Sequence, residues 1–328
     1  MIIENFKPFI GQHCETTATG SLLNQIGVEL SEPMLFGIGE GLNFIFWNMK
    51  MMDYPFIGGR IKPDVLTENI CRNLDLRLEA RETSSVKKAW ADVFENIEQN
   101  IAVGLKLDCY HLEYFSSKIH FAGHYIAIYG FDDRFAYLVD TKQQGAGVKT
   151  SLKSLELARN ERGPMSSKNR SYTIHQKEKS KSIDLKKVVR GAIKNNAETY
   201  LNPPIKNISY QGIRKTATGI IKWFENSKNI KEEFQTTARL MECGGTGGAI
   251  FRNLYRDFLK ESYGLLGNDV LLKVSHDFSQ IAKLWTEVSE LFYKTGETED
   301  IQYLHQASEI LVELSRKEKM AMELLLTL

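Results

Sequence analysis

Three residues of this 328-residue chain could together perform nucleophilic chemistry, namely Cys14, His124 and Asp140. Cys14 lies in GQHCETTATG, His124 lies in FAGHYIAIYGF, and Asp140 closes FAYLVDT. A thiol becomes a strong nucleophile when a helix N-terminus or a neighbouring imidazolium stabilises its thiolate. An aspartate behind the imidazole fixes the tautomer and stabilises the positive charge. We therefore predict that Cys14 is the nucleophile, His124 the base and Asp140 the residue that orients His124.

The elements that carry these residues must satisfy one geometric condition. Small and apolar residues recur at helical spacing after Cys14, so the sequence predicts a helix over residues 14–27 that begins at the cysteine. His124 and Asp140 lie on two consecutive predicted strands joined by a short turn. A two-residue loop would place His124 and Asp140 on opposite faces of this hairpin. A Cys-His-Asp site therefore requires a loop of odd length or a β-bulge between the two strands.

Acyl chemistry on a thiol also needs donors for the oxyanion that develops on the carbonyl oxygen. The backbone N–H of Cys14 is the first candidate donor, and the second is either the side chain of Gln12 or a backbone amide. His13 is expected to line the site beside the cysteine. His120 is an alternative base, and Asp108 is an alternative orienting residue or a substrate contact.

Composition indicates a globular protein without a bulk electrostatic partner. The chain has 42 Lys and Arg residues against 41 Asp and Glu, a net charge of +1, which gives no reason to expect nucleic acid or a membrane surface as a partner. Its start lacks the pattern of a signal peptide, and no apolar run is long enough to span a bilayer. The four cysteines form no CxxC pair and no zinc or disulfide pattern. We expect a cytoplasmic protein with no metal and no bound cofactor.

The hydrophobic pattern changes along the chain and predicts an α+β fold in two domains. Residues 1–180 mix helices with strands at 74–81, 104–112 and 172–175, and the pattern of the segment 35–49 fits either a helix or a strand. Residues 181–328 are expected to form an all-helical domain, as a lid or as a site for the acceptor. The predicted helices cover residues 183–201, 211–228, 230–242, 248–263, 269–294 and 299–326. Their apolar faces could also support a homodimer, although packing within one chain is the commoner use.

A second motif, ECGGTGGAIFRNLYRDFLKES, occupies residues 242–262. Its glycines permit backbone conformations closed to other residues, and they come just before a predicted helix, whose N-terminus can bind an anion. Gly247, Arg252 and Tyr255 are therefore candidate substrate-binding residues, with Arg256 one turn beyond Arg252 on the same face. The alternative is a tight turn between helices, in which Tyr255 and its apolar neighbours belong to the core.

Four segments carry a resemblance to a known family. HCETTA, GIGEGLNF, GHYIAIYGFDD with AYLVDT, and GTGGAIFRNLYRDFL resemble the acyltransferase of butirosin biosynthesis and its relatives. The resemblance implies a papain-like catalytic domain followed by a helical domain, in an enzyme of antibiotic biosynthesis. It implies that Cys14, His124 and Asp140 take an acyl group from the phosphopantetheine arm of an acyl carrier protein and pass it to a small-molecule amine. The glycine motif would then contact the phosphopantetheine or the acceptor.

Two other functions fit the same three residues. A cysteine peptidase or amidase would use them to hydrolyse its substrate, but Pro8 occupies the position where papain-like peptidases often carry a glutamine oxyanion donor. A non-catalytic binding protein could retain the fold with an inactive thiol. The sequence leaves these two functions as alternatives to acyl transfer.

Overall fold

A computed structural model describes residues 1–49, 52–116, 120–162, 166–177 and 183–328. The chain divides into two compact units. The first unit joins Met1–Leu35 to Pro63–Ile183, and the second joins Phe36–Lys62 to Asp184–Leu328. The boundary predicted near residue 180 falls on residues outside the described ranges.

The described residues form eight β-strands and eleven α-helices. The strands are β1 (Leu42–Trp47), β2 (Phe56–Arg60), β3 (Arg77–Arg81), β4 (Val103–Leu107), β5 (His124–Phe131), β6 (Phe135–Val139), β7 (Gly147–Ser151) and β8 (Ser171–His175). The helices are α1 (Cys14–Gln25), α2 (Glu32–Ile38), α3 (Val65–Asn73), α4 (Val86–Glu98), α5 (Leu152–Asn160), α6 (Leu185–Leu201), α7 (Ser209–Asn226), α8 (Ile230–Cys243), α9 (Arg252–Leu266), α10 (Asp269–Thr298) and α11 (Gln302–Leu325). None of these helices is long and apolar enough to cross a bilayer.

The first unit is built on an antiparallel six-stranded sheet with strand order β3-β8-β4-β5-β6-β7. Helix α1 packs against the central strands β4 and β5. Leu22 and Leu23 of α1 are buried, as are Leu105 of β4 and Ile126 of β5. Burial of these apolar side chains fixes the helix on the sheet and places the start of α1 beside β5.

The hairpin of β5 and β6 contains the predicted bulge. Phe131 pairs with Ala136 next to the turn, but after a register shift between Ile128 and Gly130 the pairing becomes Ile128 with Leu138. The extra residue changes the sum of paired residue numbers from odd to even. His124 and Asp140 therefore lie on the same face of the sheet, because residues opposite one another share a face and the side-chain period is two. The expectation of an odd loop or a bulge is confirmed, and the bulge is the device used.

The second unit is an assembly of helices around α10. Helix α10 packs against α8, α9 and α11, and α7 packs against α11 and β1. All six helices predicted between residues 183 and 326 are present. The structure corrects two expectations, since this unit is not wholly helical and residues 1–180 do not form one unit.

The correction concerns the hairpin of β1 and β2, which belongs to the helical unit. Phe44 of β1 is fully buried and stacks on Trp285 of α10 with a ring-centroid distance of 5.4 Å. The carbonyl of Gly59 in β2 accepts a hydrogen bond from Arg252. A large aromatic side chain is stabilised when it is buried against another ring. The partner ring can be distant in the sequence.

A buried ion pair and its hydrogen-bond partners join four helices of the second unit. The guanidinium of Arg252 donates to both carboxylate oxygens of Glu318, at 2.9 Å from Nε and 2.8 Å from an Nη. Trp285 donates its indole N–H to the same carboxylate at 2.7 Å, and the Tyr200 hydroxyl also donates to it. Arg252 and Glu318 are both completely buried, so each charge depends on the other to offset its desolvation.

Replacing Glu318 with alanine should strongly destabilise the second unit. The change leaves the Arg252 guanidinium buried without a counter-ion, and loss of one partner of a buried pair costs about 3–5 kcal/mol. The measurement is urea unfolding followed by helical circular dichroism. The control is Glu313→Ala, which removes the partner of Lys317 in a partly exposed pair of α11 and should cost less than about 0.5 kcal/mol. Equal losses in the two variants would contradict a structural role for the buried pair.

Candidate active site

Cys14 is the first residue of α1, as the sequence predicts. The preceding residue, His13, has extended backbone angles, and its side chain does not cap the helix. The first N–H groups of a helix have no partner within the helix, so the start of α1 offers donors and a positive partial charge to the cysteine. The cysteine is 8% exposed, which leaves it nearly shielded from water.

The turn before Cys14 is held by the carboxylate of Glu32. This carboxylate accepts the backbone N–H groups of Gln12 and His13 at 2.8–2.9 Å and the hydroxyl of Thr16 at 2.8 Å. Gln12 is exposed, whereas His13 is buried. Glu32 thus fixes the chain direction at the point where the helix begins. The roles of Gln12 as an oxyanion donor and of His13 as a residue that lines the site stay predictions.

His124 and Asp140 form a buried hydrogen-bonded pair. Nε2 of His124 lies 2.8 Å from Oδ2 of Asp140, and the two residues are 7% and 0% exposed. The other ring nitrogen, Nδ1, is then left for Cys14, which lies close enough to influence the imidazole electrostatically. Burial alone would lower the pKa of His124, but the charge and hydrogen bond of Asp140, together with the neighbouring Cys14, raise that pKa well above 6.5. The imidazolium is therefore stabilised beside the thiol.

Three neighbours of this pair were not found by sequence reasoning. The hydroxyl of Tyr114 donates to Oδ2 of Asp140 at 2.8 Å, and the N–H of Thr141 donates to Oδ1 at 2.6 Å. Phe115 presents its ring edge-on to the His124 imidazole at a centroid distance of 5.2 Å. Tyr114 and Phe115 lie in a connecting segment with no periodic pattern, so no sequence signal marks them.

The alternative base and the alternative orienting residue are paired with each other. Asp108 is buried, and its carboxylate accepts Nδ1 of His120 at 3.1 Å. The same carboxylate accepts the N–H groups of Tyr110 and Phe121. Asp108 therefore orients His120 and caps a short 3-10 turn, while Asp140 orients His124. This arrangement favours His124 and Asp140 as the pair that serves Cys14.

Two other cysteines are poorly suited to act as nucleophiles. Burial raises the pKa of Cys71 to about 12. Burial also raises the pKa of Cys109, against a smaller opposing effect of His124. Desolvation disfavours a thiolate at both positions. These two residues behave as small buried hydrophobic groups.

The glycine motif of the second unit serves the core, which overturns the expectation for Arg252 and Tyr255. Arg252 is completely buried, and Glu318 and two backbone carbonyls take its donors, so it has none directed to a substrate. Tyr255 is completely buried, and its ring packs edge-on against Phe278. Gly247 has a φ of +68°, and its carbonyl accepts the side-chain amide of Asn253. The alternative of a tight turn between packed helices is the correct one for these residues.

Fold and site together define an α+β protein with a buried thiol, imidazole and carboxylate at the start of a helix. Two family models match the chain. The first is described as Butirosin biosynthesis protein H, N-terminal, and matches residues 13–141. The second is described as Domain of unknown function (DUF4872) and matches residues 153–325. The chain belongs to the family of the second model, which covers more than half of its residues, and its first part is similar to butirosin biosynthesis protein H. No curated protein matches the chain.

The first match coincides with the candidate site. Residues 13–141 begin one position before Cys14 and end one position after Asp140, so the matched region contains the predicted nucleophile, base and orienting residue. The second match begins in α5 and includes β8 and all of α6 to α11, so it covers most of the helical unit and the last elements of the first unit.

Asp140→Asn should lower the pKa of His124 and slow alkylation of Cys14. An amide lacks the charge that stabilises the imidazolium, and an amide N–H facing Nε2 selects the tautomer protonated at Nδ1, which cannot accept the thiol proton. We expect alkylation by iodoacetamide at neutral pH to slow by about tenfold or more, since one pKa unit is a factor of ten. An NMR titration of the His124 ring gives the pKa directly. The control is Asp133→Asn, at the exposed turn of the same hairpin; an unchanged His124 pKa in Asp140→Asn would contradict this reading.

Tyr114→Phe should raise the pKa of His124 further and destabilise the first unit. Without the tyrosine hydroxyl, Oδ2 of Asp140 is shared with no other side chain and attracts the imidazolium proton more strongly. The buried carboxylate also loses one donor, at a cost of about 1–3 kcal/mol. The measurements are the NMR titration of His124 and the midpoint of thermal unfolding. Tyr110→Phe is the matched control, because Tyr110 stacks on His120 instead; a lowered His124 pKa in Tyr114→Phe would show that the hydroxyl acts differently.

Proposed function

We propose that this protein is an acyltransferase that uses Cys14 to carry an acyl group from a carrier-protein thioester to an amine. The observation that supports it most directly is the buried hydrogen bond between His124 and Asp140, with Cys14 beside the imidazole at the start of α1. The proposal includes a papain-like arrangement of the first unit, with the cysteine on a helix and the other two residues on neighbouring strands. The match of residues 13–141 to butirosin biosynthesis protein H supports a biosynthetic reaction.

The first half-reaction forms an acyl-enzyme. The thiolate of Cys14 attacks the carbonyl carbon of the thioester, and the carbonyl electron pair moves onto oxygen. The N–H of Cys14 donates to this oxyanion. When the tetrahedral intermediate collapses, the bond to the phosphopantetheine sulfur breaks and the His124 imidazolium protonates the departing thiolate. Cys14 is then acylated and His124 is neutral.

The second half-reaction transfers the acyl group to the amine. The amine nitrogen attacks the acyl carbon of the Cys14 thioester, and His124 removes a proton from the nitrogen as the new bond forms. Collapse of the second intermediate releases the amide and restores the thiolate beside the imidazolium. Asp140 remains ionised throughout and holds the ring so that Nδ1 faces the sulfur.

The burial of the three residues favours transfer over hydrolysis. Cys14, His124 and Asp140 are between 0% and 8% exposed, and a site that excludes water protects a thioester intermediate until the acceptor arrives. An acyl carrier protein as donor, a small-molecule amine as acceptor and the second unit as a lid belong to the proposal. They rest on the resemblance of the motifs to the butirosin acyltransferase.

The test is intact-protein mass spectrometry after incubation with acyl thioesters of pantetheine and with an acyl carrier protein loaded with the same groups. The parent protein should be Cys243→Ser, because Cys243 is the exposed thiol and would acylate without specificity. We expect a single acyl adduct that is absent when Cys14 is also replaced by alanine. The matched control is Cys109→Ala, which removes a buried thiol and should keep the adduct.

The fate of the adduct separates the candidate functions. Release of an amide on addition of amines, faster than release of the free acid in water, supports the transferase. Release of the acid at the same rate with and without amines would indicate a hydrolase. Absence of any adduct on a folded protein would contradict the proposal and favour a binding protein.

A further inference from the structure

A second group of side chains in the first unit has the chemistry of a metal site. His111, His120 and Glu161 each offer one ligand atom, and these atoms all lie within 4.8 Å of one another. Nε2 of His111 is 2.6 Å from a carboxylate oxygen of Glu161. The rings of the two histidines are 5.9 Å apart and nearly perpendicular, with an interplanar angle of 72°. We propose that these three residues bind a divalent transition-metal ion, with zinc the best match.

The cluster comes together from three parts of the fold. His111 ends the 3-10 turn that follows β4, Glu161 follows the last residue of α5, and His120 lies four residues before β5. Two hydrogen bonds link the first two parts, because the N–H of Asp108 donates to Ala158 of α5 and Ser154 donates to the carbonyl of His111. The positions of His111 and Glu161 are therefore set by the packing of α5 next to the end of β4.

His120 is oriented although its side chain is 58% exposed. Nδ1 of His120 bonds to the buried carboxylate of Asp108 at 3.1 Å. Tyr110 stacks on the same ring at a centroid distance of 3.9 Å and an angle of 11°. A carboxylate on one ring nitrogen makes the other nitrogen the electron-pair donor, and this is how metal-binding histidines are usually held. Nε2 of His120 is then the ligand atom.

The ligand types favour zinc over the hard cations. Two imidazoles and one carboxylate form the set used by many zinc sites that keep a fourth position for water, whereas calcium and magnesium prefer oxygen ligands alone. Neutral histidines with one carboxylate give the site a charge of minus one, which opposes the two positive charges of the ion. The hydrogen bond between His111 and Glu161 is the arrangement expected without a metal. When the ion binds, it would replace the proton of this hydrogen bond.

The expectation of no metal came from the spacing of cysteines, and cysteines take no part in this site. The histidines are nine positions apart and flank Tyr114 and Phe115, which contact Asp140 and His124. An ion held by His111 and His120 would therefore tie the two ends of the segment that supports the His124–Asp140 pair. The metal site itself is independent of the proposed acyl transfer.

The test is titration of the metal-free protein with Co²⁺ and Zn²⁺, on protein from which any polyhistidine tag has been removed. The parent protein should carry Cys14→Ala and Cys243→Ala, because a thiolate beside His124 and an exposed thiol could also take up either metal. We expect calorimetry to show one equivalent bound. The visible spectrum of the Co²⁺ form should show bands of a four- or five-coordinate ion and lack the near-ultraviolet band of thiolate ligation.

Variants then show which residues bind the metal ion. His120→Asn and Glu161→Gln should each weaken binding by at least about tenfold. Asp108→Asn, which loosens both the orientation of His120 and the cap of the 3-10 turn that ends at His111, should weaken it by about tenfold. His120 is mostly exposed, so its replacement leaves the core intact. The matched controls are His276→Asn and His305→Asn, exposed histidines of the second unit that should leave the affinity unchanged. Failure to bind either metal, or equal binding by His120→Asn, would overturn the proposal.

Discussion

The buried carboxylate of Asp140 is the constraint on which the candidate site depends. A completely buried charge is tolerated only when its oxygens are satisfied, and Asp140 receives an imidazole, a phenol and a backbone N–H. The need for these donors fixes the ring of His124, the hydroxyl of Tyr114 and the start of the segment after β6. The same charge stabilises the imidazolium that lies beside Cys14. One buried group thus sets both local structure and reactivity.

The second unit depends on the same principle applied to an ion pair. Arg252 and Glu318 are buried together, and Trp285 and Tyr200 satisfy the rest of the carboxylate. This network also explains the glycine motif. Residues 249–251 have positive φ angles just before α9 begins, and Ile250, a branched residue at a φ of +48°, is held by a hydrogen bond that its carbonyl accepts from Arg252. The surrounding packing offsets the strain of that backbone.

The comparison of Arg252 with His124 shows when residue type and spacing are enough to identify a functional residue and when they are not. Both are polar residues in motifs rich in glycine and aromatic groups, and the sequence predicts His124 as the base and Arg252 as a substrate-binding residue. His124 has a partner 16 residues away on the adjacent strand, so local pairing rules alone state the condition for contact. The partner of Arg252 is 66 residues away on another helix. The local sequence pattern carries no information on such a contact. In the sequence, an arginine that is paired in the core cannot be distinguished from one that binds a ligand.

The sequence by itself determined the helix that begins at Cys14, the hairpin that carries His124 and Asp140, and the helices after residue 183, because these depend on periodicity and on neighbours along the chain. It also required either an odd loop or a bulge in the hairpin. Only the tertiary structure decided that a bulge is used, that Tyr114 donates to Asp140, that Asp108 orients His120, and that residues 36–62 join the helical unit. Each of these results from burial of a polar or aromatic group against a partner distant in sequence, which becomes available only when the chain has folded.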